Sequence, residues 1–494
     1  MTRRVAALVA AVAIWDAPVG RAGDPAEEEL AAGLAAHVSH PRFQHATWGV
    51  AVAVTADGRR LWGTNAALLL QPASITKLFT GALALDLFGP LHRLETRVLA
   101  RGFPDRRGRV HGGLLVIGAG DFSFAARFHD GRQERSLDGL ADAIVAAGVR
   151  SVDGGLLGDD GAFRGPRLGA GWAWDDLQFY YGAEPSALAA EDNVLDLAIR
   201  PGTGVGVPCV IEPKPRLVPF ELRNETSTAA TNGTRDITIE RPLRGGPVTI
   251  RGGLPLGGRP WTDAVAVPQP AAWFLDLLHA ELAERGVAVR GANRVLSGRP
   301  DEAVSRVEIA RVPSPPMGDL VRLMMKPSQN LYAHTLVLLA GNQVDAAAES
   351  SAGAGLRAMV EFCTRLGIPA GTMRLEEGAG LSRGSMLTAG AVLALLQAMD
   401  RHPAREAFLA ALPVAGVDGT LRSRFRAGPA RGNLAAKTGT LTGVHALSGF
   451  VTNAAGTRLT FSILLNHYSA GTGDPSGREA VDALAERIAA SRAP

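Results

Sequence analysis

The chain is poor in cysteine and lysine, lacks any long hydrophobic run, and carries almost no excess charge of either sign. Cysteine occurs only at Cys209 and Cys363. That excludes a disulfide scaffold and any cysteine-based zinc site, and leaves a single disulfide open in principle. No apolar stretch approaches the roughly 20 residues of a membrane-spanning helix. The 51 basic and 48 acidic residues leave a formal charge of +3, too small over 494 residues for a nucleic-acid footprint. The 11 histidines show no His-Glu-x-x-His or other metal spacing. What remains is ordinary globular composition, 46% hydrophobic and 20% charged, which rules out a largely disordered chain. The length suggests about three domains, or one large domain carrying inserts.

The lysine shortage is itself informative. Of 51 basic residues only Lys77, Lys214, Lys326 and Lys437 are lysine; the others are arginine. Where a positive charge suffices this chain uses arginine. A lysine kept here marks a place where a compact ammonium, able to lose its proton, is needed.

The N-terminus has the form of an export signal: Arg3 and Arg4, an apolar run over 5–15, and a small-residue stretch closing at Ala22, with Asp16 out of place. Removal near Ala22 and a periplasmic or otherwise extracytoplasmic location are therefore expected. After it, periodicity predicts a helix over 27–37, a hairpin from strands at 48–54 and 60–62, and a helix starting at Ser74 that Gly89-Pro90 ends. From about 94 to 290 short β-like runs recur between Gly, Pro and Asp turns, at 96–100, 113–118, 237–241, 248–251 and 264–267, with helices at 137–147 and 270–285. Beyond 305, helices are predicted at 317–325, 331–339, 352–366, 388–400 and 477–490, and strands at 434–438, 444–452 and 458–467. The early hairpin and the three late strands can complete one sheet, with the middle of the chain inserted between its halves.

Three short patterns carry chemistry. Ser74-Ile75-Thr76-Lys77 puts a hydroxyl and an amine one helical turn apart, where the amine can take the proton of a serine nucleophile. Ser328-Gln329-Asn330, preceded by Lys326, lies between two helices and can aim both side chains into one cleft. Lys437-Thr438-Gly439, followed by Thr440, sits on a strand; Lys and Thr suit a carboxylate, and Gly admits a close backbone. Alone, the first two read better as a helix cap and a cap loop, and the third reads also as an exposed strand residue before a bend. In this order the three form the set of penicillin-interacting serine enzymes, and three of the four lysines lie in or beside them.

The chain thus resembles the penicillin-recognising acyl-serine transferases. The 254 residues between Ser74 and Ser328 leave no room for a compact β-lactamase, against 109 between Ser328 and Lys437. The long insert resembles the low-molecular-mass class C penicillin-binding proteins, D-alanyl-D-alanine carboxypeptidases and endopeptidases. Further phrases match: Gly120-Asp121, Gly158-Asp159-Asp160 through Phe163, Gly171-Trp172-Ala173-Trp174-Asp175-Asp176, Tyr181-Gly182-Ala183, and Ser186-Ala187-Leu188. The run 377–383 is similar to the family's Asp-Gly-Ser-Gly-Leu-Ser-Arg, with Glu377 for Asp and Ala379 for Ser.

The resemblance implies an α+β fold: a β-lactamase/transpeptidase-like domain, an antiparallel sheet flanked by helices, interrupted by a large mixed α/β insert. Its parts would be 1–22 as signal peptide, 23–93 and 291–494 as the two halves of the transpeptidase-like domain, and 94–290 as the insert. Ser74 would be the nucleophile and Lys77 its base; Ser328 would relay a proton, and Asn330 would hold substrate and Lys77. Lys437, Thr438, Gly439 and Thr440 would bind the substrate's C-terminal end, with the N–H groups of Ser74 and Thr440 as oxyanion hole. Asp159, Phe163 and Arg383 match the pocket for the stem-peptide side chain, although a glutamine of some members is Thr442 here, which leaves the preferred third residue open. Peptidoglycan stem peptides and β-lactams are the implied partners, with no nucleic acid and no metal or organic cofactor.

Two other readings start from the residues. Gly380-Leu381-Ser382-Arg383-Gly384 fits the Gly-x-Ser-x-Gly elbow of esterase-type hydrolases, for which Asp418 and His467 would have to complete a triad. A catalytically silent cell-wall-binding protein is the other. Gly202-Thr203-Gly204-Val205-Gly206 lacks the strand-to-helix context of a nucleotide loop.

Overall fold

A computed structural model of the chain describes residues 24–132, 135–296 and 305–494. The expected signal at 1–22 lies outside these. The chain divides into two compact units: residues up to 92 with 169–171 and 316–494, and residues 93–168 with 172–315.

The first unit is built on a five-stranded antiparallel sheet. Its strands are β1 (Thr47–Val54), β2 (Arg60–Thr64), β3 (Ala435–Leu441), β4 (Val444–Thr452) and β5 (Arg458–Asn466). They lie in the order β3-β4-β5-β1-β2, so the early hairpin pairs with the late strands as the order of elements predicts. β1 and β5 are buried almost end to end, which makes them continuous apolar runs rather than alternating ones. On one face α1 (Pro25–Val38) and the C-terminal helix Gly477–Ala490 bury Leu30, Leu34, Val481, Leu484 and Ile488 against Val50, Val52, Leu447 and Phe461.

The rest of the unit's helices are α2 (Thr76–Phe88), α3 (Met317–Met325), α4 (Asn330–Val344), α5 (Ser351–Arg365), α6 (Ala389–Asp400) and α7 (Arg405–Ala411). The helix read from Ser74 onward, α2, is buried at every position from Thr76 to Leu85. Over that stretch it has no exposed face, because α3, α4, α5, α6 and α7 all pack around it.

In the second unit, strands Glu95–Ala100, Leu114–Ile117, Leu156–Asp159, Arg294–Val295 and Val307–Pro313 share one mixed sheet, and smaller sheets surround it. The helices Asp138–Ala146 and Pro270–Glu284 bury Leu140, Ile144, Phe274 and Leu278 in its core. Arg294–Val295 pairs with Leu156–Asp159 and Val307–Pro313 with Glu95–Ala100, so these strands group with the middle of the chain, past the border at 290 read from its run of short strands and turns. A strand whose partner lies more than 200 residues earlier has no local signal of that pairing. Cys209 and Cys363 are both buried free thiols, which closes the disulfide possibility.

Candidate active site

The first motif sits where the chain turns into the core of the first unit. Ala73–Ile75 forms one 3-10 turn that runs directly into α2. No side chain caps α2, so Ser74 is not an N-cap. Its hydroxyl meets the ammonium of Lys77, one turn on, which donates to Ser74 Oγ at 2.9 Å. Lys77 also donates to Asn330 Oδ1 and to the carbonyl of Ala379, both at 2.6 Å. Ser74 is half-buried, whereas Lys77 is fully buried.

Ser328 occupies the turn between α3 and α4 with φ of 66°, and Asn330 is the first residue of α4. The left-handed turn lets Ser328 face β3, where Lys437 Nζ donates to Ser328 Oγ at 2.8 Å and to the Thr438 carbonyl at 2.8 Å. Lys437 is as buried as Lys77. β3 lies hard against the turn that carries Ser74: a Cβ on Gly439 would come 2.6 Å from the Pro72 carbonyl. Glycine at 439 is what allows that approach.

Burial sets the electrostatics. It pushes the Lys77 ammonium down to about 7, against the opposing pull of the Glu377 carboxylate. Lys437 is lowered well below an ordinary lysine by burial, by Lys77 and by Arg424. Glu377, itself fully buried, accepts from the backbone N–H groups of Ala379 (2.7 Å), Gly380 (2.5 Å) and Leu381 (3.0 Å). Those bonds hold the loop that presents the Ala379 carbonyl to Lys77. A serine hydroxyl against a deprotonable amine, with a second hydroxyl on a second amine, is equipment for nucleophilic acyl transfer.

A profile of the D-Ala-D-Ala carboxypeptidase 3 (S13) family matches residues 30–490. The chain belongs to this family. It is 34% identical over 472 residues to a D-alanyl-D-alanine carboxypeptidase of Actinomadura sp. (strain R39), covering 93% of this chain and 84% of that one. With the carboxypeptidase DacB of Haemophilus influenzae the identity is 27% over 418 residues, 82% of each chain. In fold it matches the crystal structure of penicillin binding protein 4 from Haemophilus influenzae with a TM-score of 0.78 at 24% identity, over 93% of this chain and 98% of that one. As an S13 peptidase this chain is a serine-type D-Ala-D-Ala carboxypeptidase with the α+β architecture expected of it.

Within the S13 fold the remaining candidates disperse. Arg383 is exposed in the first unit and donates to the Thr442 carbonyl from both terminal nitrogens at 3.3 Å. Asp159 and Phe163 belong to the second unit, where Asp159 ends a strand and accepts from Gly161 N at 2.9 Å, and Phe163 is buried. The elbow serine has no triad. Ser382 donates to Glu376 at 2.6 Å, Asp418 pairs with Lys326 at 2.6 Å, and His467 lies 3.4 Å from Thr47. No helix starts at Ser382; α6 begins at Ala389. Residue-by-residue reading missed the Glu377 bonds and the Ala379 carbonyl, because neither a backbone acceptor nor a cluster of backbone donors leaves a mark in side-chain chemistry. The matching phrase at 377–383 was the available signal.

Proposed function

We propose that this S13 peptidase cleaves the terminal D-Ala-D-Ala bond of peptidoglycan stem peptides, or the cross-links made from them, through an acyl-enzyme on Ser74. One observation carries this: a fully buried lysine nitrogen, lowered to about 7, stands 2.9 Å from the Ser74 hydroxyl. Neutral Lys77 takes the Ser74 proton as Oγ attacks the penultimate D-alanine carbonyl. The N–H groups of Ser74 and Thr440 hold the oxyanion. Ser328, against Lys437, passes a proton to the departing amine; D-alanine leaves, and water then releases the acyl group. Lys437 and Thr438 bind the terminal carboxylate, whose charge favours the ammonium form of Lys437. The resemblance assigns Asp159 and Phe163 of the second unit, and separately Arg383 of the first, to recognition of the third stem residue. A β-lactam mimics the peptide and stays on Ser74; a solved structure of the Haemophilus influenzae penicillin binding protein 4 is a β-lactam complex. The substrate lies outside the cytoplasm, which agrees with the signal-like N-terminus. Among the described residues no helix is long and apolar enough to cross a membrane.

The test is covalent labelling by a fluorescent penicillin together with digestion of purified cross-linked muropeptides. Ser74→Ala should abolish both while the protein stays folded. Ser382→Ala should keep labelling nearly unchanged, since it removes only local bonds, to Glu376 and from Gly384 N. Labelling that survives Ser74→Ala and vanishes in Ser382→Ala would overturn the assignment.

A further inference from the structure

Lys326 is the one lysine near the motifs to which the proposed mechanism gives no task. Its ammonium donates to Asp418 Oδ2 at 2.6 Å and to the Leu412 carbonyl at 2.7 Å. The other oxygen of Asp418 accepts from Val414 N at 2.9 Å, which closes the loop 414–418 on itself. The backbone of residue 326 is fastened to the same loop. Its carbonyl accepts from Thr420 N at 3.0 Å, and Gly419, with φ of 53°, passes so close that a Cβ would lie 2.5 Å from that carbonyl. The loop is therefore clipped to the residue two before Ser328. At its end stands Thr420, whose hydroxyl accepts a bond from the Thr438 hydroxyl at 2.9 Å. One turn of chain thus sets Ser328 against Lys437 and Thr420 against Thr438.

We propose that Thr420 is a further specificity-determining residue, a second hydroxyl for the substrate's terminal carboxylate, and that the Lys326–Asp418 pair is the clip that positions it. This rests on the carboxylate-binding role proposed above for Lys437 and Thr438. A carboxylate at Thr438 needs hydroxyl donors for its oxygens. When the Thr438 proton turns from Thr420 to the carboxylate, the Thr420 proton is within reach of the same group, because the two hydroxyls are hydrogen-bond neighbours. A carboxylate has two oxygens and accepts both bonds; an amide in its place offers one acceptor and two protons, for which two hydroxyls and an ammonium are a poorer match. The choice of lysine at 326 follows as well. A single ammonium makes both bonds, to Leu412 and Asp418, in a half-buried site where a planar guanidinium has a different reach.

The experiment compares hydrolysis of an acyl-D-alanyl-D-alanine peptide with that of its C-terminal amide. Thr420→Val keeps the side-chain shape and removes the hydroxyl. It should raise KM for the free acid about tenfold with kcat nearly unchanged, and shrink the preference for acid over amide by a similar factor. Asp418→Asn should give the same acid-selective change in KM, because it loosens the loop without touching Ser74. Equal losses on acid and amide, or a change confined to kcat, would overturn the proposal and leave a merely structural loop. Penicillin labelling of the wild-type protein separates the two levels. If Ser74 is not labelled, the underlying reading fails; if it is labelled and the acid preference survives Thr420→Val, only this proposal fails.

Discussion

Lys77 and Lys437 are both buried amines, yet the reaction asks different things of them. Lys77 has to be neutral to accept a proton, and its pKa of about 7 makes the acylation rate rise with pH through that value and level off above it. The sign follows from the group: a lysine lowered from 10.5 is half deprotonated near 7, and only that half is a base. Removing the opposing charge with Glu377→Gln should move this limb to lower pH. Arginine cannot give up its proton, so Lys77→Arg should slow penicillin acylation by about 10³-fold, within the range for losing a general base. Lys437→Arg keeps a cation for the carboxylate and should retain measurable acylation, with the loss mainly in substrate binding. Time courses of fluorescent-penicillin labelling across pH check all three. Equal rates for the two arginine variants would reduce Lys77 to a mere charge.

At the scale of elements, the cleft exists because two backbones meet. The turn before α2 and the strand β3 approach at Gly439, where a methyl group would sit 2.6 Å from the Pro72 carbonyl and 3.2 Å from the Ala73 side chain. Gly439→Ala should therefore push β3 away from Ser74 and cost about 10²-fold in acylation, the scale of a misplacement near 1 Å. Its melting temperature should fall only modestly, because the sheet retains β4 and β5 as its centre. Loss of fold in Gly439→Ala would contradict this. Much at this scale was legible beforehand. The strands at 444–452 and 458–466 alternate or run apolar between clear turns, and the helices at 317–325 and 477–490 carry an apolar stripe with clean ends. The strands Val194–Arg200, Val210–Lys214 and Val307–Pro313 were not singled out, since short segments of mixed polarity are made strands by partners elsewhere in the chain.

At the scale of the whole molecule, every motif residue lies in the first unit, so the proposed chemistry does not account for the large second unit. If Asp159 of the second unit and Arg383 of the first each contribute to recognition of the third stem residue, Asp159→Ala and Arg383→Ala should each weaken hydrolysis of peptides with a charged third side chain. Acylation by penicillin, which has no such side chain, should hardly change. Steady-state kinetics on paired muropeptides and penicillin would decide; equal losses on both would remove Asp159 and Arg383 from substrate recognition.

The sequence by itself determined the reaction class. Spacing along the chain is local geometry, so Ser74 and Lys77 were bound to face each other once the 3-10 turn and α2 formed, and the lysine shortage marked Lys437 and Lys326 before any contact was known. Tertiary structure alone decided what those amines became. Lys77 meets Asn330 from 253 residues away and Ala379 from 302. Lys437 meets Ser328 from 109 residues away, and Lys326 finds Asp418 from 92. A lysine becomes a base only when its surroundings exclude water, and exclusion of water belongs to packing between distant segments. The same reason hid Thr420: a threonine in a turn is unremarkable until a fold sets its hydroxyl 2.9 Å from Thr438.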